Sequence, residues 1–298
     1  MSKLGLCFFL VAVAPAGCTT APTVEPLACA TPADSSAAAD VVLTARDATL
    51  SVDDVTFFAW TYDGDVPGPV LRLALGESRR IKLVNAGPRP VSVHFHGLAY
   101  SEADDGDPAH PASVVNPGCA HVSTVTATQP GVWPFHSALD PAVELSRGLY
   151  GLVVVPDPGE LAAAHELVFV LANLGIPMPA AVVGGDGDPG ESGAGAPTFF
   201  QIINGRPDGN AKVIELLGDQ YVASEGTATA KVGDRVRFRV ANLSAADTYS
   251  FHLDGHTLPV DAVALAPASG FTAELVEDNP GTWTLTAGGS FATYQVDP

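Results

Sequence analysis

Short apolar runs recur along the chain, separated by Gly, Pro, Asp and Asn. Val41–Ala45, Thr56–Trp60, Arg79–Asn85, Val91–His96, Val122–Ala127 and Leu149–Val155 have the length and alternation of β-strands. Asp63-Gly64, Pro67-Gly68-Pro69 and Gly87-Pro88 mark turns between them. No stretch before residue 156 has the period of a long amphipathic helix. A second set follows: Phe199–Ile203, Val213–Leu217, Arg235–Asn242, Thr248–Leu253, Thr272–Val276, Thr282–Ala287 and Thr293–Val296. The pattern predicts an all-β protein of two sandwich domains, 40–156 and 199–298. The connection, 157–198, holds one predicted strand, His165–Leu171, and a Gly/Asp/Pro-rich run from Gly184 to Pro197 expected to be an exposed linker.

Composition supports folded domains. The chain has 298 residues, is 47% hydrophobic and only 16% charged, too apolar for disorder. Its formal net charge of −19 repels nucleic acid, and a nucleic-acid partner is excluded on that ground. The same charge attracts cations, metal ions included.

The first residues change the expected compartment. Lys3, an apolar run from Leu4 to Val13 and small residues up to Gly17 read as an export signal over 1–17, too short for a permanent membrane span. Ala16-Gly17-Cys18 resembles a bacterial lipoprotein box, which makes Cys18 the expected lipid anchor, with ordinary cleavage as the alternative. Pro15 stands where such boxes usually carry Leu. The expected location is the bacterial cell envelope, with membrane attachment through the lipid. Residues 18–39, rich in Ala, Thr, Pro and Ser, read as a flexible tether. Cys29 and Cys119 are then an even pair in an oxidising compartment, expected as a disulfide.

Candidate chemistry gathers around Val93-His94-Phe95-His96-Gly97 and the nearby Asp105-Gly106. Two histidines one residue apart on a strand face the same side and can chelate. Trp133-Pro134-Phe135-His136-Ser137 and the stretch from Tyr249 to His256 contain further histidines. A weak repeat links the halves. Gly76 to Asn85 precedes the first histidine pair as Gly233 to Asn242 precedes His252 and His256, and Pro130-Gly131-Val132-Trp133 answers Pro280-Gly281-Thr282-Trp283. Two copies of one sandwich explain it.

These motifs, with Asn116-Pro117-Gly118, Gly148-Leu149-Tyr150-Gly151 and Ile203-Asn204-Gly205-Arg206, resemble the multicopper oxidase and copper nitrite reductase superfamily. The resemblance implies two Greek-key cupredoxin-like β-sandwich domains and copper as cofactor. It matches His94 and His252 to type 2 copper ligands, and His96 and His136 to type 3 ligands. His94, His136 and His252 are also read as a three-His type 2 site of the nitrite reductase kind. Asp105 matches a carboxylate that handles protons. Asp254 stands where the family has an imidazole, and is expected to ligate or to orient His256 or a water.

The departures narrow the chemistry. Ser137 follows His136 where nitrite reductases carry the type 1 Cys, and Thr284 to Gly289 lacks the His-Cys-His run of the oxidases. Ala138 and Tyr249 replace two further expected histidines. The soft thiolate that tunes a type 1 centre is absent from every matching position. The expectation is one type 2-like copper site on His94, His96, His136, His252 and His256, with redox chemistry on a small molecule. The alternative is a non-catalytic copper-binding or metal-free lipoprotein. His110, His121 and His165 lie outside the motifs and read as surface or structural residues. In two-domain members of this superfamily such sites form between subunits, which implies a homotrimer.

Overall fold

The computed structural model describes residues 29, 31–52, 55–176, 198–206, 211–258 and 264–298. The export signal, Cys18 and the Gly184–Pro197 linker lie outside the described residues.

The first domain contains β1 (Val41–Val52), β2 (Val55–Tyr62), β3 (Val70–Arg72), β4 (Ser78–Asn85), β5 (His94–Phe95), β6 (Leu98–Ala99), β7 (Ala120–Ala127), β8 (Gly131–His136) and β9 (Tyr150–Val155). The second contains β10 (His165–Ile176), β11 (Thr198–Ile203), β12 (Val213–Leu217), β13 (Gln220–Ser224), β14 (Ala228–Lys231), β15 (Arg235–Asn242), β16 (Tyr249–Leu253), β17 (Ala264–Leu265), β18 (Ser269–Val276), β19 (Gly281–Ala287) and β20 (Ser290–Asp297). They form four sheets, in the orders β2-β1-β4-β7-β6, β3-β9-β8-β5, β13-β12-β10-β15-β18 and β14-β20-β19-β16-β17, with β11 also paired to β10.

Three apolar layers lie between the four sheets. Strand period 2 explains how β9 and β10 serve two layers each. Val153 and Val155 of β9 enter the first domain's core, while Tyr150, Leu152 and Val154 face the second domain. Leu167, Phe169 and Leu171 of β10 enter the second core, while Val168, Val170 and Ala172 face the first domain. Strands covered on both faces read as unbroken apolar runs. The two domains therefore share an apolar layer and are not beads on a tether.

That layer corrects two boundaries. The sequence places His165–Leu171 in the connection, but β10 is a central strand of the second domain, paired with both β12 and β15. Its lack of alternation hides which sheet it belongs to. The end of the expected 18–39 tether is also fixed. Ala120 N–H donates to Thr31 O at 2.7 Å, and the Lys82 ammonium donates to Ala33 O and Ser35 O. Cys29 and Cys119 form the expected disulfide.

One short helix, α1 (Pro141–Arg147), interrupts the strands of the first domain. Its signals are local. The Asp140 carboxylate caps the Val143 N–H, Pro141 supplies a preset first turn, and Gly148 ends it at φ 103°. Among the described residues no helix is long and apolar enough to cross a membrane.

Candidate metal centre

His94 and His136 are register partners across β5 and β8. His96 lies two residues beyond His94, so period 2 turns it to the same face, while Phe95 points into the core between the sheets. The chain leaves this face through Gly97, at φ 66°, where a Cβ would overlap the Trp133 ring. The second domain repeats the device, since a Cβ on Gly255 would overlap Trp283. Both indoles also donate to a carbonyl four residues earlier, Trp133 to Gln129 and Trp283 to Asn279.

Three imidazoles thus meet at the end of the first domain's inner sheet. Ring centroids are 4.9 Å apart for His94–His96, 5.1 Å for His96–His136 and 5.6 Å for His94–His136. The Nε2 atoms of His96 and His136 are 2.9 Å apart. His136 Nδ1 lies 2.8 Å from Ser137 O, a carbonyl that can only accept. Nδ1 therefore carries the proton and Nε2 presents a bare lone pair. Burial, followed by the neighbouring His136 and His94, pushes His96 down to about 4. Burial also lowers His136. Both rings are neutral near pH 7, the state a metal ligand requires.

His94 is held differently. Its Nδ1 lies 3.0 Å from Asp105 O, so this nitrogen also carries a proton and leaves Nε2 as the lone-pair atom. Tyr100 Oη sits 3.1 Å from the same Nδ1 and donates to Asp105 Oδ1 at 2.9 Å. Asp105 reaches this place because Gly106 follows it. At Gly106, φ 82°, a Cβ would lie 2.6 Å from Val93 O, so the loop closes on the strand only with glycine there. Burial and the Asp105 carboxylate raise the Tyr100 phenol above its usual range.

The position after His136 is held by side-chain hydrogen bonds. Ser137 is buried, accepts from Ser92 N–H at 3.1 Å and donates to Glu144 Oε1 at 2.8 Å. Glu144 Oε2 accepts from Asp140 N–H at 2.9 Å. Burial raises the Glu144 carboxyl above the usual range.

The second domain's candidates have other settings. His252 pairs in register with Thr286 as His94 does with His136, so a threonine stands where the first domain has an imidazole. His252 is half exposed, with Nε2 3.1 Å from Asp254 Oδ1. His256 departs from the expected metal ligand. Its Nδ1 meets Asp254 O and its Nε2 meets Glu277 Oε2, both at 2.9 Å, and its ring stands edge-on to Trp283. Both nitrogens are engaged by the protein, and Glu277 is buried beneath with Tyr294 donating to it. The expected set of His94, His136 and His252 draws on both domains, and within this chain the imidazoles beside His136 are those of His94 and His96. Within this chain the Nε2 of His96 is the atom that faces His136 Nε2.

Of the remaining histidines, His121 meets Asp104 at 2.7 Å and His165 meets Glu215 at 2.6 Å. His110 joins Asp105 and Asp107 in a partly exposed group whose ligand atoms lie within 4.8 Å of one another. Tyr100 and Glu144 were not legible as site residues. Tyr100 follows β6 as one of several aromatics in the first domain, and only the folded loop brings Asp105 to it. Glu144 is marked only by the helix-start pattern Asp140-Pro141.

Multicopper oxidase family models match residues 44–160 and 188–291. The chain belongs to the multicopper oxidase superfamily. It is 30% identical over 253 residues to a probable nitrite reductase–hydroxylamine oxidoreductase fusion protein of Kuenenia stuttgartiensis, covering 78% of this chain and 27% of that protein. It is 26% identical over 282 residues to the copper-containing nitrite reductase of Neisseria meningitidis, covering 94% of this chain and 67% of the relative. The chain thus spans about a quarter of the first relative and about two thirds of the second. A blue copper oxidase from Nitrosomonas europaea superposes with a TM-score of 0.69 at 18% identity, covering 86% of this chain and 85% of that one, which establishes the cupredoxin-like fold.

Proposed function

We propose that this multicopper oxidase-family protein binds copper at a type 2-like site on His96 and His136, flanked by His94 and Asp105, and has no type 1 centre. The observation that carries the reading is the His96–His136 pair, two neutral imidazoles with Nε2 atoms 2.9 Å apart and the His136 proton fixed on the far nitrogen. Imidazole nitrogen in this state suits copper. Bound copper would supply one-electron chemistry to a small molecule. The chain's own part is to hold the ligand rings, and to keep a proton within reach through Tyr100, Asp105 and His94. The Ser137–Glu144 hydrogen bond fills the position where a thiolate relay would begin, so electrons would come from outside the chain.

The half-exposed His252, on the second domain, supports completion of the site by another copy in a homotrimer. The short apolar run before Cys18 supports a lipid-anchored envelope protein. A second reading, non-catalytic copper binding, uses the same ligands and differs in lacking turnover.

Copper titration of the purified protein tests the proposal. Binding should be lost in His96→Ala and His136→Ala and retained in His110→Ala. Full binding by His136→Ala refutes the site. Turnover of nitrite or oxygen with an artificial electron donor separates the catalytic reading from the storage reading.

A further inference from the structure

The layer between the domains is apolar at one end and charged at the other. Period 2 puts Glu166 of β10 on the same face as Val168, and Arg237 and Arg239 of β15 on the same face as Ala241. All three charged residues are buried. They form one network. Arg239 Nε meets Glu166 at 3.0 Å and its Nη2 meets Glu160 at 2.6 Å. Arg237 meets Glu166 at 2.9 Å and Glu274 at 2.6 Å, and Arg235 meets Glu274 at 3.3 Å. Three arginines face three glutamates, so this network is neutral by itself.

Arg72 adds one more positive charge. It ends β3, on the same face as Val70, which packs in the interdomain layer. Its neighbour across the layer is Tyr221 of β13, whose hydroxyl donates to Glu166. Among the described residues no carboxylate pairs with the Arg72 guanidinium, and its Nε is buried without an acceptor. Two clefts of about 420 Å³ each meet at this side chain. Arg79, Asp219 and Tyr221 help to line one, and Glu160, Glu166 and Arg237 the other. An unpaired guanidinium in a partly desolvated cleft is costly, and its planar fork matches a planar oxyanion. We infer that the cleft at Arg72 binds a small planar oxyanion, a carboxylate or an inorganic one, at a site separate from the histidine face.

Calorimetric titration of the purified protein with sodium nitrate and with sodium acetate, at constant ionic strength in chloride, tests this. A saturable signal should appear for one or both anions. It should weaken about tenfold or more in Arg72→Gln, and less in Arg72→Lys, which keeps the charge without the fork. Nitrate alone binding assigns an inorganic oxyanion, and acetate alone a carboxylate. The absence of a saturable signal beyond chloride, or equal binding by Arg72→Gln, overturns the inference. If Arg72→Gln does not fold, undiminished binding by Arg72→Lys overturns it instead. Copper content of the variants should match the wild type, so failure here is distinct from failure of the metal site.

Discussion

The Nε2 atoms of His96 and His136 face each other at 2.9 Å, and one proton at most fits between them. His136 keeps its own proton on Nδ1, against Ser137 O, so the shared proton belongs to His96. A metal ion and that proton compete for the same space. In the proposed copper site, this hydrogen bond would have to give way to the metal.

Protonation should therefore open the site. Burial and the neighbouring imidazoles put His96 at about 4, and burial also lowers His136, both below the ordinary histidine value near 6.5. A histidine lowered in the folded state favours folding above its unfolded value, and that contribution is lost as pH falls toward the folded value. The metal-free protein should lose stability progressively from about pH 6.5 toward about pH 4. Denaturant midpoints measured across that range should show a shallower slope in His96→Gln. An equal slope in that variant removes His96 as the cause.

The glycine after the pair should matter as much as the histidines. Gly97→Ala places a methyl group inside the Trp133 ring, at a positive φ as well. Overpacking of this kind costs about 1–3 kcal/mol. The thermal midpoint should fall, and copper should bind more weakly because Trp133 sits on the strand that carries His136. Gly255→Ala should destabilise through Trp283 in the same way, with no weakening of the His96–His136 pair.

Most of the fold could be read from the chain, and the reason is local. Strands with one wet face alternate, and turns carry Gly, Pro and Asp. What could not be read was the pairing of surfaces. β10 has both faces buried, so its sequence does not show which sheet owns it. The first histidine face was legible because His94 and His96 share a strand face by period alone. The roles of Tyr100 and Glu144 depend on a loop and a short helix folding back, which no periodicity records. His256 shows the opposite case. It stands in a family motif, yet Glu277 and Asp254 O occupy both its nitrogens.

The Cys29–Cys119 bridge closes a separation of 90 residues. The chain-entropy account gives about 4–5 kcal/mol for a loop of that order. Cys29→Ser with Cys119→Ser should lower the denaturant midpoint accordingly and loosen residues 31–39, read as faster amide exchange at Ala120. Unchanged stability would show that Lys82 and the backbone contacts hold the segment alone.

Subunit exchange should reveal where the site is completed. Chains carrying His94→Ala and chains carrying His252→Ala should each bind copper weakly. Mixed assemblies should regain part of it, because some interfaces then join an intact His94 to an intact His252. No recovery on mixing, or full binding by a monomer, contradicts an interfacial site.

The electron paramagnetic resonance and visible spectra of the copper-loaded protein decide whether a type 2-like site stands alone on this histidine face. Ser137, held between Ser92 and Glu144, offers no thiolate. Copper-loaded protein should give an ordinary type 2 copper signal, lost in His136→Ala, and no intense blue charge-transfer band. An intense blue band, or a copper signal unchanged in His136→Ala, would contradict that site.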